Sequence, residues 1–190
     1  MTSFDVAKPE TPWVIFGPRD AVEFKEQTAA LRAAGGRVYE LQARDLKDQV
    51  STCDAFARAI GFPDYFGRNW DALVDCLDDL HDHATGGVGI VMVIHGADVL
   101  LGADHLNIFT MVLCLAADRA NTAVDPDGDL RNQPVVIEHF VFLLDEVRAE
   151  EFAVGIKDPD VVVRVEGDFL TVALDLDVWR PEAAGRPKVS

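Results

Sequence analysis

The sequence predicts an α/β domain on a mostly parallel sheet, and three observations predict it. Short apolar runs alternate along the chain with longer segments of helical period, the order that makes βα crossovers. One run, Val88–Ile94, is apolar apart from Gly89 rather than alternating, as in a strand covered on both faces. The 190 residues suit one ordinary domain and are short for two, so residues 1–190 are read as a single α/β domain.

Trp13–Phe16 is a short apolar run closed by Gly17-Pro18 and reads as the first strand. From Asp20 the apolar residues Val22, Phe24, Ala29, Ala30, Leu31 and Ala33 recur near helical period, and Gly35-Gly36 supplies the stop. Arg37–Leu41 alternates and reads as a second strand. A helix follows from Ser51, read as its N-cap, and stops near Gly61 ahead of Pro63. Pro63–Gly67 is a loop, and Asn69 caps a third helix from Trp70 to about Leu80. Gly86-Gly87 then interrupts the chain before the buried run Val88–Ile94. A fourth helix is expected over Ala103–Ala120, and an exposed loop over Asn121–Gln133, which holds Asp125-Pro126-Asp127-Gly128. Val135–Ile137 and Phe140–Leu144 form one interrupted strand. Val161–Glu166 and Phe169–Leu174 flank Gly167-Asp168, a hairpin signal, and imply an antiparallel addition at a sheet edge.

Acidic residues outnumber basic ones 33 to 17, a net charge of −16. That balance argues against nucleic acid or an anionic membrane as partner, since both are polyanions. It suits a basic partner, or serves solubility alone. No apolar stretch approaches the roughly 18 residues of a membrane span. The first residues, MTSFDVAKPETP, lack the basic and apolar regions of a signal peptide. Cys53, Cys76 and Cys114 make neither a disulfide framework nor a zinc knuckle. A reduced, cytoplasmic protein is the expectation.

The third helix carries the functional argument. At about 100° per residue, Asp71, Asp75, Asp78 and Asp82 fall within a stripe about 60° wide, with Trp70, Leu73, Leu77 and Leu80 opposite. Val74 and Cys76 sit at the borders. Like charges at i,i+4 cost an isolated helix roughly 0.2–0.5 kcal/mol per pair, and acids in the last turn oppose its dipole. The stripe is either the solvated face of an acidic protein or a preformed anionic surface for a basic partner. Tyr65 and Phe66 precede it in the loop. Phe66, the more apolar, suits the core, and Tyr65 either staples the loop or offers a flat partner contact.

The segment Ala55–Leu80, AFARAIGFPDYFGRNWDALVDCLDDL, resembles the barstar family of intracellular ribonuclease inhibitors. The likeness rests on P-D-Y-F-G followed by N-W-D-A-L-V-D-C-L and extends more weakly from about Arg37 to Leu144. It implies a barstar-like layered fold, a mostly parallel sheet flanked by helices. The family-like core is about 37–144, with an N-terminal βα extension over about 12–36 and a C-terminal hairpin extension over about 145–180. It also implies an inhibitor rather than an enzyme, acting as an antitoxin or immunity protein without a cofactor. The resemblance further implies that its acidic helix and tyrosine loop plug the active site of a basic, secreted microbial guanyl-specific ribonuclease or of a nuclease toxin. By register, the expected partner-binding residues are Tyr65, Gly67, Asn69, Asp71, Val74, Asp75 and Asp78, with Asp75 entering the phosphate pocket. Asp118 is the candidate for a further acid from a later helix. Arg68 stands where the family has an acid, and Val74 and Leu80 where it has tryptophans, which bears on partner choice more than on fold.

Two other readings remain. The scaffold could bind a partner that is not a ribonuclease, with the hairpin serving dimerisation. Alternatively, the Asp cluster could hold Mg²⁺ or Mn²⁺ in an enzyme, which requires carboxylates converging from several elements. His81, Asp82 and His83 lack a geometrically fixed third ligand, so no metal site is expected. Cys76 is read as a core residue rather than a nucleophile. The oligomeric state is open.

Overall fold

The computed structural model describes residues 4–80, 88–123 and 135–179. The elements run β1 (Val14–Pro18), α1 (Val22–Ala33), β2 (Arg37–Gln42), α2 (Gln49–Ile60), α3 (Trp70–Asp78), β3 (Ile90–His95), α4 (Leu106–Thr122), β4 (Glu138–Leu144), α5 (Ala149–Gly155), β5 (Val161–Glu166), β6 (Phe169–Leu174) and α6 (Leu176–Trp179). Among the described residues one six-stranded sheet takes the order β2-β3-β4-β1-β6-β5. The first four strands are parallel, with Val38 beside Val91, Met92 beside Phe140 and Val14 beside Phe140. β6 and β5 join antiparallel beyond β1. The N-terminal strand is therefore interior to the sheet, and the hairpin forms the edge.

Strand alternation divides the core in two. Phe16, Ile90, Met92, Ile94, Phe140 and Phe142 point to the face covered by α2, α3, α4 and α5. Phe16 and Phe142 stack there at 4.2 Å between ring centres. Ile15, Val91, Val93, Val141 and Leu143 point to the other face, under α1 and the N-terminal residues Phe4 and Val6. Covering both faces explains why β3 and β4 read as continuous apolar runs.

Several element boundaries move for identifiable reasons. α2 starts at Gln49 because Asp48, not Ser51, is its N-cap. Ser51 donates its N–H to Asp48 Oδ1 at 2.8 Å, and Asp48 donates its N–H to Ser51 Oγ at 3.0 Å. That reciprocal capping box makes Ser51 the third helical residue. α4 begins at Leu106 because a short 3₁₀ turn, Ala97–Leu100, follows β3. β4 includes Glu138 and His139, the polar break in its apolar region, and both are fully buried. α5 was not anticipated. The hairpin has the expected limits, and Gly167 takes φ +61 in its two-residue turn. The expected Asp125–Gly128 turn, Asp82, and the His81–His83 cluster lie outside the described residues.

Candidate functional site

The site begins where α2 ends. Gly61 takes φ +88 past Ile60 and lets the chain leave the helix. The loop that follows is held by two aromatics: Phe62 and Phe66 meet edge-on at 5.1 Å and pack partly buried against the core. Phe66 also donates its N–H to Pro63 O at 3.0 Å. Tyr65 is left outside, 86% exposed. Of the two aromatics, Phe66 is the one that anchors the loop. A Cβ on Gly67 would stand 3.4 Å from both Ala72 Cβ and Asn69 Nδ2, ordinary contact with the start of α3.

Arg68 completes the turn at φ +49, a left-handed conformation rare for a side-chain-bearing residue. Its Nε lies 2.9 Å from Asp54 Oδ1 on α2. Asn69 caps α3 as its sequence position predicts, its Oδ1 accepting the Ala72 N–H at 2.8 Å. Its amide is thus engaged in holding the helix start.

α3 is 9 residues long and ends at Asp78, short of the expected Leu80. Leu73 and Leu77 are fully buried. Trp70 stacks at 5.9 Å on Phe109 of α4 and at 6.2 Å on His105. Asp71 and Asp75 are exposed, as is Asp79 just beyond the helix. Val74 and Asp78 are buried, at 3% and 4% exposure. The expectation that Val74 and Asp78 face a partner is therefore corrected. The two lie one helical turn apart in a single row, and α4 packs against α3. The outer row is Asp71, Asp75 and Asp79, an i,i+4 series that the averaged stripe obscured.

Beneath the outer row, Asp78 lies close enough to Glu138 at the start of β4 to disfavour its ionisation. Burial pushes the Glu138 carboxyl well above its ordinary value, and the Asp78 charge adds to that. Asp118 is also buried, at 3% exposure, so α4 does not present it as a surface acid. The neighbouring Arg119 faces α3 instead, with Nη1 3.8 Å from Asp75 Oδ1. Sequence reasoning missed this cation. Its signal was the D-R pair itself, since adjacent residues on a helix point about 100° apart.

Cys76 is half-buried on α3, and burial followed by the charges of Asp75 and Asp79 pushes its thiol up. Burial raises Cys53 to about 11. Both thiols stay protonated near neutrality, which disfavours nucleophilic chemistry. Among the described residues no three His, Cys, Asp or Glu side chains come together as a metal site. Among them, too, no helix is long and apolar enough to cross a membrane. The arrangement offers two exposed carboxylates on a capped helix beside an exposed tyrosine, acceptors for hydrogen-bond donors brought to this face.

A family model described as Barstar (barnase inhibitor) matches residues 36–139, from the residue before β2 to the second residue of β4. β1, α1 and the β5–β6 hairpin lie outside that match. No curated protein and no solved structure matches the chain.

Proposed function

The chain belongs to the barstar (barnase inhibitor) family, and from that premise we propose that it occludes the active site of a basic ribonuclease. The observation that carries the reading is the outward pair Asp71 and Asp75, one turn apart on α3, with Tyr65 exposed in the preceding loop. A ribonuclease phosphate site holds Arg, Lys and protonated His, which donate strong charge-assisted hydrogen bonds to carboxylates. Asp75 and Asp71 take the place of RNA phosphates there. Tyr65 packs on the pocket wall with little conformational entropy to lose. The net charge of −16 speeds encounter with a cationic enzyme. Inhibition on this reading is steric and electrostatic, and it protects the cytoplasm of a cell that makes the nuclease.

Calorimetry and RNA-cleavage assays against basic secreted ribonucleases of the guanyl-specific class test the proposal at low salt. Stoichiometric inhibition is expected, and Asp75→Ala weakens it more than tenfold. Binding unchanged by Asp75→Ala removes that residue from the centre of the interface, and no inhibition by the parent chain overturns the reading.

One observation favours a second partner class on the same surface. Arg119 lies beside Asp75, and Arg68, exposed in the turn before α3, pairs with Asp54 of α2; this suits a basic protein, other than a ribonuclease, that carries an acid opposite Arg68. Capture from the native host, with identification of the bound protein, separates the two.

A further inference from the structure

Among the described residues β5 is the last strand of the sheet and pairs on one side only, with β6. The two-residue turn makes Glu166 and Phe169 a hydrogen-bonded pair, and such pairs alternate along an antiparallel ladder. Arg164 and Val162 therefore bond toward β6, while Val163 and Val165 turn their N–H and C=O groups to the open edge. Among the described residues neither valine makes a main-chain hydrogen bond outside the sheet. β5 has no proline, and its register with β6 runs unbroken from Val161 to Glu166 without a bulge. Proline and bulges are devices by which exposed edges commonly resist pairing, and β5 has neither.

The edge is also complementary to itself. When two β5 strands run antiparallel about Val165, each Arg164 faces the other copy's Glu166. These positions are non-hydrogen-bonded on the new ladder, where side chains come closest. Both residues are exposed, and Val165 is 38% exposed between them. Centring the pair on Val163 instead sets Asp160 against Glu166, like charges, and leaves Arg164 opposite Val162. We infer that β5 pairs with β5 of a second copy about Val165, joining two sheets into one of twelve strands. Two Arg164–Glu166 bridges set the register. This surface is independent of the α3 face and of its proposed partner.

Sedimentation equilibrium of the full chain over a wide concentration range, in moderate salt that screens the net charge, tests the inference. The expected result is a monomer–dimer equilibrium. Val165→Pro removes an outward N–H that the β5–β6 ladder does not use, and it weakens the dimer at least tenfold. Arg164→Glu puts four carboxylates at the contact and also weakens it at least tenfold. Arg164→Glu combined with Glu166→Arg restores it, which guards against a variant that merely misfolds. A parent chain monomeric at every concentration overturns the inference. So does a dimer unaffected by Val165→Pro, or one that the double reversal fails to rescue.

Discussion

Arg119 Nη1 lies 3.8 Å from Asp75 Oδ1, with the arginine side chain 14% exposed and the aspartate side chain 74% exposed. α4 thus holds a guanidinium under the face that α3 presents, beyond hydrogen-bond distance but within reach of the carboxylate's field. An ion pair this open to water contributes about 0–1 kcal/mol. Arg119→Gln is expected to raise affinity for a basic partner two- to tenfold at low salt, because a competing cation leaves Asp75. The gain disappears in an Asp75→Asn background and fades at about 0.5 M salt. A calorimetric double-mutant cycle checks it. A fall in affinity would instead make Arg119 a favourable part of the interface.

The two rows of α3 separate binding from packing. Asp71→Ala and Asp75→Ala are expected to weaken the proposed complex by more than tenfold each, at least about 1.4 kcal/mol, with the thermal midpoint unchanged. Asp78→Ala acts from the buried row, so it shifts the midpoint and leaves affinity within about twofold. Calorimetry beside thermal melts distinguishes them. Equal affinity losses for Asp75 and Asp78 would contradict the assignment of rows.

Tyr65 and Phe66 are neighbours with opposite expected phenotypes. Tyr65 is 86% exposed, whereas Phe66 packs on Phe62. Tyr65→Ala leaves stability within about 0.5 kcal/mol, the range of ordinary surface changes, and weakens the complex. Phe66→Ala costs about 1–3 kcal/mol, less than the 3–5 of a fully buried ring. Denaturant titration of both variants, followed by binding, reads the difference.

The left-handed turn at Arg68 gives a cleaner backbone test. Arg68→Ala and Arg68→Gly both lose the bridge to Asp54, so their difference isolates the conformation at φ +49. A side chain there costs about 1–2 kcal/mol relative to glycine. The glycine variant is therefore expected to be the more stable by about 1 kcal/mol in urea denaturation. Equal stabilities would mean that this turn carries no such strain.

Local signals were legible in the sequence wherever one residue's chemistry decides the matter. Asn69 is a cap because its amide reaches the Ala72 N–H, and Gly167-Asp168 turns a hairpin because Gly167 tolerates positive φ. Asp48 and Ser51 show the limit of that logic, since in a capping box each bonds the other and either can be taken for the cap. The acidic surface was visible as a face, but its rows were not. Which row is covered depends on α4, a packing partner that begins only at Leu106, far along the chain from the end of α3 at Asp78. Glu138 and His139 were the least legible, because a polar pair between apolar runs reads as a break while the structure buries both in β4.

That buried pair gives the chain a characteristic dependence on pH. Adjacent in a strand, the two side chains point to opposite faces. Glu138 has Asp78 near it, and His139 has Asp5 and the Glu10 backbone near it. Burial holds the folded Glu138 carboxyl protonated above 4.5, where the unfolded chain has released its proton, so stability falls as pH rises past 4.5. Burial holds folded His139 neutral down to about 4, while the unfolded imidazole takes a proton below 6.5. Stability therefore falls as pH drops from 6.5 toward 4, by on the order of 3 kcal/mol. Between 4.5 and 6.5 the two slopes oppose each other and flatten the parent profile. Glu138→Gln is expected to match the parent below pH 4.5 and to gain stability over it progressively above. His139→Gln gains relative to the parent only as pH falls below 6.5. Urea denaturation from pH 4 to 8 measures both, and variant curves running parallel to the parent would show that neither group changes its protonation on unfolding.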